Sequence, residues 1–435
     1  MLTVTKFGGS SLASSEQFKK VKSIIDSSPS RKVVIVSAPG KREIRDNKIT
    51  DLLYLTYSHL KYHVDYSNVF NLIKERFYEI ENSLSLDVDL DNEFMKLEKK
   101  MKEGISEEEL VSRGEYFNAM LMASYLGYKF IDSKDVIFFN YDGSVNVKKS
   151  LDAIKAAYNT YEKIVISGFY GSYPDNTICL FSRGGSDVTA SYVSLALEAD
   201  KYENWTDVSG FYMADPKIVN NPRHIKEVSY DELRELSYMG ASVLHEETIL
   251  PLIDTNIPLE ILNTNHPDEE GTIITSKCKD TSSLITGITG KKDFIGLTIV
   301  KRRNASKLKA MMDTLKILDK YHIEVEHIPS AIDSFTLVIA KDKVEKVFFD
   351  IFTELKSLES IMSVSYDEDI ALVTVVGRNM VTRPGISGQI MSVFGNEKIN
   401  IKIIDQSRDE INIIVGVSNS DFAKSIKCLY NEFSK

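Results

Sequence analysis

Five short runs rich in β-branched and aliphatic residues, LTVTKFG, KVVIVSAPG, KIVISGFYG, TICLFSRGG and PLEILNT, recur through the first two-thirds of the chain with longer helical stretches between them. A chain that alternates in this way can bury its strands only in a mainly parallel sheet covered by helices, so the fold class is read as α/β. Several of the runs end in a Gly or Ser cluster, which marks the carboxyl edge where open α/β sheets hold their ligands. From about Asp51 to Leu126 the pattern is helical and charge-rich, and it reads as a cover for that sheet rather than a separate domain.

The 435 residues allow two to four domains at roughly 100 to 200 residues each. Hydrophobic residues at 43% and charged residues at 27% exclude wholesale disorder. The 53 Lys and Arg against 63 Asp and Glu leave a formal charge of -10, which argues against nucleic acid or anionic membrane as the main partner. Cys179, Cys278 and Cys428 are scattered and odd in number, so they frame neither disulfides nor a zinc site and suit a reducing cytoplasm. No run approaches a membrane span, and MLTVTKFGGSS lacks the layout of a signal peptide, so a soluble cytoplasmic protein is expected.

The last third repeats itself. A shift of 76 positions pairs Leu297 with Val373, Ile299 with Val375, Leu318 with Phe394, Ile323 with Ile399, Phe335 with Ile411 and Leu337 with Ile413. Each copy reads strand, helix, strand, turn, strand, which predicts two small α+β modules after a boundary near Thr286 to Asp293. The spans expected are 1–288 for the large domain and 292–364 and 366–435 for the modules.

Two glycine-rich corners carry the chemistry. In KFGGSS, Lys6 to Ser11, adjacent glycines let backbone N–H groups converge on an anion, a following helix near Leu12 to Glu16 adds positive potential, and Lys6 supplies a full charge. The spacing is neither Walker nor G-x-G-x-x-G, and an empty strand-to-helix turn is the competing reading. In SRGGSD, Ser182 to Asp187, Asp187 can cap a helix or orient a cation and Arg183 can grip a carboxylate, or the segment is a capped helix with a surface arginine. WTDVSGFYMADPK offers Thr206, Asp207 and Tyr212 to a nucleotide, although a hairpin around a buried Trp205 fits equally. Glu115, placed at a helix start in SRGEYFNA, would suit a substrate ammonium, with an exposed helical glutamate as the plainer reading. H-E-x-x-H and G-x-S-x-G are absent, so no catalytic histidine, no metal site and no serine nucleophile is assigned.

KFGGSS, VIVSAPGK, SRGE, SRGGSD, WTDVSGFYMADPK and MGASVLHEET stand in the order seen in aspartokinases, and the duplicated tail resembles their paired ACT domains. The likeness covers essentially the whole chain and is closest to the monofunctional form. It implies an amino-acid-kinase three-layer sandwich followed by two ACT modules, and transfer of the γ-phosphoryl group of MgATP to the side-chain carboxylate of L-aspartate. By the same match Lys6 and Asp187 are catalytic, with Lys6, Gly8, Gly9, Ser10, Thr206, Asp207, Tyr212, Asp215 and Lys217 on ATP. Arg183 would take the α-carboxylate and Glu115 the α-ammonium, with Ser37, Thr50 and Ser186 completing the pocket. Mg2+ would be held mainly through the ATP phosphates. The resemblance further implies an amino-acid effector, lysine or threonine, at the ACT modules near His327 to Asp333 and Ser306 to Met312, and a homodimer or higher homo-oligomer formed through their open sheet edges. Two departures stand out: Ser242 where the family commonly has lysine, and Lys217 where arginine is frequent. A kinase for another amino-acid carboxylate, and a catalytically silent amino-acid sensor, are the alternatives.

Overall fold

The structure, a computed structural model, describes all residues except 183, 241–243, 245, 277, 280–282, 382 and 435, and for 246 and 247 the backbone alone. The chain forms two compact units. The first comprises Met1–Phe211, Lys226–Tyr230 and Val243–Cys278. The second comprises Tyr212–Ile225, Asp231–Ser242 and Lys279–Lys435.

The first unit is built on an eight-stranded sheet. Its strands lie in the order Glu227–Ser229, Thr272–Thr275, Leu259–Asn263, Lys201–Thr206, Thr3–Phe7, Arg31–Val36, Ile164–Ser167, Lys129–Ile131. Every pairing is parallel except that of Leu259–Asn263 with Thr272–Thr275. Val33, Val34, Ile35 and Val36 are all fully buried, as required of a parallel strand covered on both faces. The helices Ile49–Lys61, Ser67–Leu84, Leu90–Glu103 and Glu107–Leu126 form the expected cover. They share one core with the sheet, in which Phe94 and Phe117 lie 4.7 Å apart and Phe77 and Phe117 5.4 Å apart. The helix Glu107–Leu126 starts on a serine cap, with Ser106 accepting from the Glu109 N–H at 3.1 Å and three glutamates in the positive first turn. It stops where Gly127 takes a left-handed φ of 68°.

One run is placed differently from the sequence reading. TICLF contributes Ile178–Leu180, which pairs antiparallel with Tyr170–Ser172 in a separate hairpin and never enters the main sheet. The segment folds back through the turn at Tyr173 to Thr177, too short a connection for a parallel crossover. Among the described residues no helix is long and apolar enough to cross a membrane.

The second unit carries a five-stranded antiparallel sheet in the order Ser334–Ala340, Gly287–Lys301, Ile361–Val376, Asn412–Val417, Ile403–Asp405. The two long strands each serve both modules. Phe294 to Val300 pair with Ser334–Ala340 in a core with Leu318 and Ile351, whereas Ile288 packs with Val373, Val375, Phe394 and Val415. The register slips between Lys291 and Phe294, where one core gives way to the other. The strand that completes the second module therefore precedes the first in sequence.

Residues from within the span 1–288, expected to form the large domain, join this unit. Met213, Ala214 and Val219 are buried in the same core as Ile288 and Val373, and the Ile288 N–H donates to the Met213 carbonyl at 2.7 Å. Glu232, fully buried, accepts from the Arg378 backbone N–H at 2.8 Å, from Arg378 Nη1 at 2.7 Å and from Thr286 Oγ1 at 2.5 Å. Removing one partner of a buried, hydrogen-bonded pair strands the other charge. Arg378→Ala should therefore cost about 3–5 kcal/mol in urea denaturation, and adding Glu232→Leu to it should recover a large part; equal loss in both variants would show that the carboxylate is not what makes the change expensive.

Candidate active site

Sheet register assembles the first corner. Lys6 stands opposite Asn204 on one side and Ile35 on the other, so Lys6 and Asn204 project from the same face of neighbouring strands. Above that face the helix Gly185–Ala196 begins at Gly184, in left-handed conformation with φ 55°, and carries Asp187 in its first turn. The Lys6 ammonium pairs with Asp187 Oδ1, and Asn204 Nδ2 donates to the same oxygen at 2.9 Å. Lys6 is only 6% exposed, so the pair is screened from water and its charges act at low dielectric. The two glycine corners thus face one another, although the second follows a hairpin rather than a strand of the main sheet.

The Gly8 N–H donates to the Trp205 carbonyl at 2.9 Å, and Gly9 opens a short 3-10 turn, Gly9–Leu12. The helix proper, Ser15–Asp26, starts three residues later on the Ser14 cap, so the anion-facing amides are those of the turn rather than of the long helix. Gly9 is locked to Gly40, whose N–H donates to the Gly9 carbonyl at 2.8 Å. A Cβ at Gly40 would lie 2.6 Å from the Gly9 carbonyl carbon and 2.8 Å from Ser10 N. Gly40 is in VIVSAPGK, but nothing in that segment alone indicates that it packs on the first corner.

The residues expected around the amino acid lie on the helices Glu107–Leu126, Ile49–Lys61 and Gly185–Ala196 and just past the strand Arg31–Val36. Glu115 lies in the middle of Glu107–Leu126, not at a helix start, and is 4% exposed instead of solvated. Its Oε2 has no hydrogen-bond partner among the described residues. Burial pushes its carboxyl up to about 8, against smaller downward pulls from the Ala38 backbone, its own backbone and the Lys6 charge. Gly114 makes this depth possible, since a Cβ there would meet Ala38 Cβ at 2.9 Å and Leu53 Cδ1 at 3.2 Å. Ser37 continues the strand Arg31–Val36; its N–H donates to the Phe7 carbonyl at 3.2 Å and its carbonyl accepts from Asn118 Nδ2 at 2.6 Å. Thr50 is half-buried in the first turn of Ile49–Lys61. Ser186 is buried against Gly168, where a Cβ would come 2.6 Å from Ser186 Oγ. Phe169, next along, holds a left-handed φ of 82° while its N–H donates to Thr189 Oγ1 at 3.2 Å, a backbone strain with no signature in the sequence. A cavity of about 900 Å³ in this unit is lined by Tyr54, Arg113, Lys134, Tyr173, Phe181 and Ser182. Arg183, Ser242 and His245 lie outside the described residues.

The remaining expected residues divide between the units. Thr206 and Asp207 follow the strand of Trp205 in the first, with Thr206 Oγ1 donating to Asp207 Oδ1 at 3.2 Å and Thr206 Oγ1 within 4.0 Å of a Cβ built on Gly8. Trp205 itself is buried, its Nε1 donating to Glu203 at 3.0 Å. Tyr212, Asp215 and Lys217 belong to the second unit, where Tyr212 lies edge-on to His224 at 5.6 Å and the Lys217 N–H donates to Asp215 Oδ1 at 2.8 Å. The sequence does hold one four-residue histidine spacing, His59 and His63. The helix ends at Lys61 and His63 turns to φ 56°, so the two do not share a helix face, and no cluster of three or more His, Cys, Asp or Glu able to hold a metal occurs among the described residues.

Residues 1–263 match the amino acid kinase family and residues 373–433 an ACT domain. The chain is 34% identical to Aspartokinase 3 of Bacillus subtilis, covering 99% of this chain and 98% of that one. The crystal structure of Clostridium acetobutylicum aspartate kinase superposes with a TM-score of 0.94 at 47% identity, covering 99% of this chain and 100% of that one. Escherichia coli aspartokinase III in complex with aspartate and ADP shares the fold, with a TM-score of 0.79 at 22% identity over the whole of both chains.

Two measurements test the site as built. Gly40→Ala should disrupt the first corner, because the new methyl meets backbone on both sides; a loss of about 1–3 kcal/mol in stability with weakened nucleotide binding is expected, and unchanged binding would detach Gly40 from the cradle. The Glu115 carboxyl is raised from 4.5 to about 8, so its contribution to stability is fully present below pH 4.5 and is lost as pH rises through about 8. Glu115→Gln should flatten stability across that window in denaturation curves, and a parallel pH dependence in both proteins would assign the effect elsewhere.

Proposed function

The chain belongs to the aspartokinase family, and we propose that it transfers the γ-phosphoryl group of MgATP to the side-chain carboxylate of L-aspartate, giving 4-phospho-L-aspartate, at the corner where Lys6 meets Asp187. Phosphorylation of aspartate, in the biosynthesis of the aspartate-derived amino acids, is the activity of this chain. The observation that carries our assignment of residues is the buried Lys6–Asp187 pair, which brings a cation and two glycine corners to one point.

A carboxylate is ionised at neutral pH, so the nucleophile needs no base, and the work left to the protein is to align two anions and neutralise the transferred group. Lys6 supplies that charge together with the amides of Gly9 and Ser10; Gly8, expected from the sequence to give its amide as well, has its N–H committed to the Trp205 carbonyl. Asp187 and Asn204 hold the ammonium in place before the nucleotide arrives, which spares reorganisation in the transition state. Glu115 reads the α-ammonium through its unpartnered oxygen, Arg183 reads the α-carboxylate, and Ser37, Thr50 and Ser186 complete the pocket. Thr206, Asp207, Tyr212, Asp215 and Lys217 are assigned to the nucleotide by the family match. Magnesium enters with the ATP phosphates. We take 1–288 as the stretch that carries the kinase domain and 292–364 and 366–435 as those that carry the ACT modules, with Met213, Val219 and Ile288 lent to the second module's core, the protein as a cytoplasmic homodimer or higher homo-oligomer joined through the modules, and lysine or threonine as the effector near His327 to Asp333 and Ser306 to Met312.

Lys6→Ala should lower turnover by on the order of a hundredfold or more, read as hydroxamate formed from the acyl phosphate; wild-type turnover would remove Lys6 from the mechanism. Glu115 gives a second test. With its carboxyl near 8 when empty, it is mostly protonated at pH 7, and an arriving ammonium favours the ionised form. Aspartate binding at pH 7 should then release up to about one proton per site, seen by calorimetry in buffers of different ionisation enthalpy, and release should vanish in Glu115→Gln. Binding heats that do not depend on the buffer would rule out this role.

A further inference from the structure

The second ACT module contains a cavity of about 410 Å³ whose walls include Met380, Arg383, Ser387, Ser407, Arg408 and Ile413. It lies in the loop that precedes the helix Ile386–Asn396 and in the turn between the strands Ile403–Asp405 and Asn412–Val417. We propose that it binds a small molecule through a compact oxyanion, carboxylate or phosphate, held between Arg383 and Arg408. This site is distinct from the first-module segments His327 to Asp333 and Ser306 to Met312.

Four features support the assignment. Both arginines line the cavity, and neither side chain makes an ion pair or hydrogen bond among the described residues. Arg383 and Arg408 bring two like charges to one concavity against the single carboxylate of Glu410, and an oxyanion can accept from both planar forks. The helix Ile386–Asn396 starts at Gly385, with φ 94° and no side-chain cap, so the amides of Ile386 and Ser387 meet the cavity with their positive end uncovered by the chain. Finally, Ser407 Oγ is shut off from water and finds no hydrogen-bond partner among the described residues, although its backbone N–H is fixed on Asn412 Oδ1 at 3.2 Å. A buried hydroxyl left unsatisfied beside such a cavity is a group awaiting a partner.

Apolar contact is confined to the floor, where Met380, Ile386 and Ile413 come up from the module's core. Glu410 also lines the cavity and would face the ammonium of a ligand that carries one. The sequence copy in the first module has Arg303 to Leu308 where the second has Asn379 to Pro384, so Pro384 and Gly385, which shape the helix entry, belong to the second module alone.

The test is calorimetric titration of the full-length protein at low ionic strength with three probes: inorganic phosphate, succinate, and free L-threonine and L-lysine. Saturable binding to wild type by at least one probe is expected, weakened about tenfold or more in Arg408→Ala and in Arg383→Ala. Arg408→Lys should retain more affinity than Arg408→Ala. Phosphate alone would point to a phosphorylated ligand, succinate alone to a carboxylate, and an amino acid alone to a zwitterion that also uses Glu410; each supports the site. Both arginines are exposed, so urea midpoints should stay at the wild-type value and a loss of binding cannot be put down to unfolding. No binding by any probe, or binding that is the same in wild type and both alanine variants, would overturn the proposal.

Discussion

A lysine and an aspartate held together away from water, Lys6 and Asp187, are the interaction on which the catalytic unit turns. Desolvating two charges is costly, and the pair alone would do little for stability. It is tolerated because Asn204 gives the carboxylate a further hydrogen bond and because strand register, not a flexible loop, sets Lys6 in place. The arrangement has a clear use in phosphoryl transfer. An ammonium already oriented and partly stripped of water is the group a phosphate oxygen can share with little reorganisation.

Glu115 is the complementary case. It is a carboxyl group with one oxygen unsatisfied and with its ionisation suppressed by burial, which is costly in the empty protein and is relieved once a cation arrives. The Lys6 charge pulls weakly against the effect of burial on Glu115. In the other unit, Met213 and Val219 flank Asp215 and Lys217 and sit in the core of the second ACT module.

Much of this was legible in the sequence, and the rest was not for identifiable reasons. Strand runs that end in glycine located both corners, and the 76-residue repeat located the modules, because periodicity and turn chemistry are local properties. The Asn204 contact was invisible, since it depends on which strand lies beside Thr3–Phe7. Gly40 was within a quoted motif, yet its role comes from an approach to Gly9 that only the folded chain defines. Glu115 looked solvated because a charged residue two positions from Arg113 usually is, and its burial depends on Gly114 letting Ala38 and Leu53 close over it. TICLF misled because three apolar residues fit a hairpin as well as a sheet strand.

The most direct test of the account is the position of the reacting groups in a crystal structure of this protein with MgADP and L-aspartate. The account predicts the β-phosphate on the Gly9 and Ser10 amides within hydrogen-bonding reach of Lys6 Nζ, the aspartate ammonium on Glu115, and its side-chain carboxylate facing the phosphate. A phosphate tail that avoids Lys6, or an aspartate whose ammonium is bound away from Glu115, would contradict it.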